Sequence, residues 1–204
     1  MSTEPIVFAA GEAGLRSLLQ RAVGLDSQAL VRFQTGEHGV EAFVSTPFGV
    51  LAARRIQASL AHDGMVLSAQ AVVEHTNLRT LDAAWQFGAL PPVTGFQLLD
   101  EIPANVVYTL HTQGRDLAKQ FSGPLGPPAS LLDQTVLNVT GGHTSVEVPM
   151  RMIFAMHALG LIPTVDAPIE IPRYLRVSAA GRWVRIDAPF GSVYYAQTLN
   201  LLTF

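Results

Sequence analysis

The stretch Arg173–Gln197, RYLRVSAAGRWVRIDAPFGSVYYAQ, decides how the chain is read. It predicts three short strands, with a corner at Ala179-Ala-Gly181 and a second at Pro189-Phe-Gly191. Tyr174, Arg176, Trp183 and Arg185 recur at period two on one side, while Leu175, Val177, Val184 and Ile186 occupy the other. Successive side chains of a strand point to opposite faces, so this pattern describes a sheet with one core face and one arginine/aromatic face. Near the N-terminus, Gly39–Arg54 (GVEAFVSTPFGVLAAR) echoes Gly181–Gln197: each copy starts at a glycine and reaches Pro-Phe-Gly eight residues later. Val31-Arg-Phe33 corresponds to Leu175-Arg-Val177, and an amphipathic helix ending in Gly-Leu precedes each copy. Helix, strand, turn, strand, Pro-Phe-Gly and strand therefore occur twice. The expected class is α+β: two helix-plus-antiparallel-meander units, an arrangement that an internal duplication would produce. The bland alternative is that Pro-Phe-Gly is a good corner, because Pro fixes φ and Gly permits φ > 0.

Working outward, Ile6–Ala9 reads as a strand, and Leu15, Leu18, Leu19 and Val23 form a helical core stripe. Three strands follow over 29–34, 40–45 and 50–56. Met65–Leu67 leads into a short helix capped by Ser68. Residues 79–101 have the composition of a connector, with Trp85, Gly88, Pro91, Pro92 and Gly95, and divide a unit 1–78 from a unit 102–204. Trp85 and Phe87 are expected to pin the connector to a core. In the second unit Pro103 starts a helix to about 120, Gly123–Pro128 forms a stiff loop, and Ser130 caps a helix to about 138. Pairing of Val136–Val139 with Ser145–Val148 is the competing reading. Thr144-x-x-Glu147 reads as a capping box opening a helix that ends at Gly160. Three helices followed by a hairpin is also the order of a winged helix, with Ser178–Arg182 as the wing tip. That turn closes in one of two registers, with Arg176 opposite either Arg185 or Trp183; the second, which also sets Tyr174 opposite Arg185, is expected.

Composition excludes several classes. The 204 residues carry a net charge of −3 and no cysteine, and 49% are hydrophobic. There is no disulfide framework, thiolate metal site or cysteine nucleophile. The acidic balance makes a nucleic-acid partner unlikely and argues against an anionic membrane surface. No secretory leader or membrane span is read, so a cytoplasmic protein is expected. Twelve arginines against one lysine fit a GC-rich genome.

Three segments resemble a family of actinobacterial proteins with no assigned activity. They are Ala29–Arg32 with Pro47–Leu51, Asp82–Trp85 with Leu90–Pro92, and Arg182–Tyr194. The resemblance implies one compact chain and no mechanism.

Chemistry is sparse. Gly11-x-x-Gly14 after a strand has the shape of a phosphate-binding turn, but Glu12 stands where the phosphate would sit and no Lys completes a P-loop. The six histidines form no local ligand pair, and His157 reads as a core or boundary residue. No catalytic residue, cofactor or metal is expected. The leading expectation is a non-enzymatic interaction or regulatory protein. It would bind a protein partner or a second copy through Tyr174, Arg176, Trp183 and Arg185, since arginine with Trp and Tyr is typical of binding hot spots. The alternatives are a small-molecule binder or enzyme with its site between the two halves, the connector acting as lid, and a winged-helix DNA binder.

Overall fold

The structure, a computed structural model, describes residues 5–121, 128–164 and 166–197. The first unit runs β1 (Ile6–Ala10), α1 (Glu12–Leu25), β2 (Leu30–Gly36), β3 (Gly39–Ser45), β4 (Leu51–Leu60), β5 (Val66–Ser68) and α2 (Ala69–Glu74). Ser68 caps α2 through its hydroxyl, which accepts from the Ala71 N–H, as its sequence position predicts. The second runs β6 (Gln97–Pro103), α3 (Ala104–Phe121), α4 (Ala129–Leu132), β7 (Thr135–Gly141), β8 (Thr144–Pro149), α5 (Met150–Ala158), β9 (Tyr174–Ala180), β10 (Trp183–Ala188) and β11 (Gly191–Ala196). Mixed helix and antiparallel sheet in two domain-like halves is the architecture expected from the repeated meander.

The two meanders join into one sheet. Its order is β5-β2-β3-β4-β11-β10-β9-β6, with β1 also pairing β4. At the seam Leu51, Ala52 and Ala53 of β4 face Tyr194, Val193 and Ser192 of β11, antiparallel. The third strand of each meander thus meets its counterpart, and the strand order mirrors itself about the seam. Both Pro-Phe-Gly corners lie beside this joint. A Cβ on Gly191 would approach the Ala53 carbonyl oxygen to 2.8 Å, and one on Gly49, at φ 69°, would meet the Arg151 guanidinium at 2.6 Å. The phenylalanine carbonyl of each corner accepts an arginine N–H from the other half: Phe48 from Arg151 and Phe190 from Arg54, both at 2.6 Å.

One face of the sheet holds the main core. Val31, Phe33, Val44, Ala52 and Ile56 from the first half meet Val177, Val184, Ile186 and Val193 from the second. Leu15, Leu19, Val72, Val107 and Ile153 cover them from α1, α2, α3 and α5. The opposite face carries a small aromatic cluster of Phe43, Leu51, Ala53 and Tyr194, covered by Trp85, Leu90 and Phe96 of the connector.

Several expectations fail in the second half. The helix over 130–138 shrinks to the four residues of α4, and the competing pairing is the one formed, Asn138 opposite Glu147 and Val139 opposite Val146. Thr144-x-x-Glu147 is not a capping box. Val146 and Val148 are buried while Ser145 and Glu147 are exposed, a period-two pattern that a strand satisfies and a helix cannot. Asp100 and Glu101 lie in β6, where Ile102 is buried against β9, and α3 begins directly after that strand at Ala104. The winged-helix order is absent: a hairpin separates α3 from α5, and α5 is buried from Met152 to Met156. The stiff loop expected over 123–128 lies, apart from Pro128, outside the described residues.

The hairpin over β9 and β10 takes neither expected register. Ala180 pairs with Trp183, which leaves only Gly181 and Arg182 in the loop, with Gly181 at φ 55°. Two-residue loops with positive φ match the strand twist and are favoured for that reason. The result sets Arg176 opposite Asp187 and Arg185 opposite Ser178.

Candidate functional site

The four residues singled out by the sequence do share the outer face of the sheet. Trp183 is half-buried and packs on the Phe43–Tyr194 cluster, with Arg182 lying over its ring at 5.5 Å. Arg185 sits 4.5 Å over the Phe96 ring and pairs with Asp187 at 2.8 Å. Arg176 is exposed, pairs with Glu101 at 3.1 Å and lies over the Tyr174 ring. Arg55, also on this face, holds the almost fully buried Glu41 at 2.5 Å. Arg32 lies over the Trp85 ring. Burial, followed by the Glu41 charge, pushes the Tyr194 hydroxyl far above its ordinary range. The connector therefore lies along the sheet over an aromatic and ion-paired layer, and the arginines here are committed to carboxylates or rings.

The helix face differs. α1, α2, α3 and α5 carry five bases (Arg16, Arg21, Arg115, Lys119, Arg151) against three acids (Glu12, Glu74, Asp116), a net +2 within a chain of net −3. Where α1 meets the end of α5 over the β4–β11 seam, a cavity of about 310 Å³ opens. Gly14, Ser17 and Arg21 of α1, Arg54 of β4, Gly160 after α5 and Phe190 of the corner line it. Arg54 packs directly on Gly14, and Arg21 on Gly160. No carboxylate lines the cavity among the described residues. Burial lowers the pKa of Arg54, and its guanidinium donates to the Phe190 carbonyl. The sequence reading touched this place at Gly11 and Gly14, but as a phosphate turn at the start of α1. Gly11 in fact sits against the backbone of Ile56, and Gly14 serves to admit the Arg54 guanidinium.

A second feature of this layer was invisible in the sequence. His111 of α3 stacks on His157 of α5 with ring centroids 3.5 Å apart and planes 9° apart. Burial, then the charges of His157 and Arg115, drive the His111 pKa down to about 4. Burial and Arg115 also lower that of His157. Among the described residues no group of three or more His, Asp or Glu could hold a metal ion. None of the described helices is long and apolar enough to cross a membrane.

This fold, two units sharing one sheet with paired helices on a single face, resembles that of solved DNA polymerase sliding clamps. The Caulobacter crescentus sliding clamp superposes with a TM-score of 0.58 at 9% identity, over 97% of this chain and 66% of the clamp. The DNA polymerase III beta chain of Streptococcus pneumoniae gives 0.55 at 11%, over 95% and 65%, and the Bacillus subtilis sliding clamp 0.54 at 11%, over 95% and 64%. The chain thus spans just under two thirds of the length of these clamps. By sequence it belongs to the family described as Domain of unknown function (DUF8185), whose model matches residues 91–200; a second, Domain of unknown function (DUF8010), matches residues 1–89. No curated protein matches the chain.

These likenesses correct the functional expectation. The three solved structures named above are clamps or beta chains of DNA polymerase. This likeness stands against the interaction or regulatory protein built on Tyr174, Arg176, Trp183 and Arg185; of the four, Trp183 packs on the aromatic cluster, whereas Tyr174 and Arg176 are exposed. The connector does not form the expected lid over a cleft, because it is packed on the outer face of the sheet. The winged-helix DNA binder falls with its missing helix order.

Proposed function

We propose that this chain is a clamp-like, DNA-associated protein that presents its helix layer to duplex DNA. The observation that carries this reading is the continuous sheet through both units with the paired helices gathered on one side. That layer holds more bases than acids while the rest of the chain is acidic. The expectation that nucleic acid is an unlikely partner rested on net charge alone, which says nothing of where the charges sit. Five helix bases permit few phosphate contacts, and counterion release scales with their number, so direct affinity is weak and its salt slope is shallow. Retention on DNA then comes from encirclement. A chain of this length closes a ring with a partner unit or further copies. We place those joints at β1 and β6, each of which pairs with a single neighbouring strand and exposes an apolar side chain, Val7 and Leu98, because an open strand edge is a template for pairing. The repeated order of elements and the mirrored seam support descent of the two meanders from one duplicated unit.

Light scattering tests the assembly: a mass at a whole multiple of 21.9 kDa greater than one is expected. Retention tests the encirclement. The assembled protein stays on closed circular DNA through a moderate-salt wash and is lost once the circle is cut. Equal loss from circular and linear DNA overturns the reading.

A further inference from the structure

We propose that the seam cavity lined by Arg21, Arg54 and Ser17 is a phosphate-accepting site that takes a backbone phosphate of duplex DNA. It rests on the reading of the helix layer as the DNA side. Three observations carry it. Two guanidinium groups, Arg21 from α1 and Arg54 from β4, line one open cavity, and no carboxylate does so among the described residues. Among the described residues neither arginine forms an ion pair there, whereas Arg55, Arg176 and Arg185 on the opposite face each hold a carboxylate within 3.1 Å. Two glycines admit the guanidinium groups: a Cβ on Gly14 would stand 2.4 Å from Arg54, and one on Gly160 2.5 Å from Arg21.

A partly buried cation without a partner is costly to desolvate. Arg54 carries that cost, offset within the chain by a single carbonyl. A phosphate dianion or diester supplies what the site lacks. It accepts several N–H groups at once, and the planar fork of arginine matches its oxygens. Arg54 is anchored to Phe190 through one terminal nitrogen, which leaves its other N–H groups for a ligand. The location selects the phosphate source. The cavity lies between α1 and α5 on the helix side and directly over the seam, so a duplex passing along that layer crosses it.

The test uses the full chain. The Nε–Hε signals of Arg21 and Arg54 are followed by NMR while a short duplex, and separately inorganic pyrophosphate, is added at low salt. Binding of the duplex is measured in parallel over a salt series for wild type, Arg21→Ala and Gly14→Ala. The last displaces Arg54 with a residue that favours the helix, so the fold is retained. Both arginine signals shift with duplex. Each variant lowers the slope of log K against log salt by about one. Duplex binding that leaves both signals and both slopes unchanged overturns the site while the clamp reading stands. Shifts with duplex but no preference for circular DNA preserve the site and remove the clamp reading. Shifts with pyrophosphate alone overturn the proposal, since the cavity then serves a free phosphate compound.

Discussion

The outer face of the central sheet and the seam cavity on its helix side hold their arginines differently. On the outer face Arg55, Arg176 and Arg185 each meet a carboxylate, and Arg32 and Arg185 lie over aromatic rings of the connector. On the helix face at the seam, Arg21 and Arg54 meet glycines and a carbonyl. Composition alone treats these arginines as equal. Their surroundings do not: a paired cation is part of the scaffold, and an unpaired one over a cavity is available to a ligand.

If the outer layer is scaffold, its substitutions act on stability. Tyr194→Ala removes the ring at the centre of the aromatic cluster, which touches Phe43 and Phe96 at 5.4 and 5.8 Å between centroids. Loss of a buried aromatic costs about 3–5 kcal/mol, read as a lower urea midpoint. An unchanged midpoint would break the distinction between the faces. Arg55→Ala leaves the Glu41 carboxylate buried without its partner and costs about 1–3 kcal/mol by the same measurement.

Acidification gives a third, smaller effect. His111 and His157 are both held neutral in the fold, their pKa values depressed below the ordinary 6.5. Below that value the unfolded chain binds more protons than the native one. The stability these rings contribute is therefore present above pH 6.5 and is lost as pH falls toward about 4, the His111 value. The urea midpoint should decline across that window, and His111→Phe should flatten the decline. An equally steep decline in the variant would assign it to other groups. The smallest effect belongs to the seam: Arg21→Ala moves the midpoint little, because the exposed guanidinium holds no ion pair among the described residues.

Much of the sheet was legible in the sequence. Period-two alternation gave the faces of β9 and β10 correctly, and Pro-Phe-Gly marked both corners. What failed was set by contacts distant in the chain. The β4–β11 joint depends on Ala53 meeting Ser192, and no local pattern encodes it. Thr144-x-x-Glu147 imitates a capping box, and only burial of Val146 and Val148 reveals the strand. The hairpin register turned on Gly181 taking positive φ in a two-residue loop, where a longer turn was expected. The site was less legible still. The arginine/aromatic pattern drew attention to the packed face, whereas Arg54 lies inside a strand, and its role depends on a glycine 40 residues earlier and a corner 136 residues later.

Hydrogen–deuterium exchange with and without duplex DNA tests the central claim most directly. With DNA present, amides of α1, α5 and the Leu159–Leu161 segment should exchange more slowly, while those of the connector and the β9–β10 hairpin keep their rates. Protection confined to the connector and that hairpin, with α1 and α5 unchanged, would contradict the assignment of the helix layer as the DNA side.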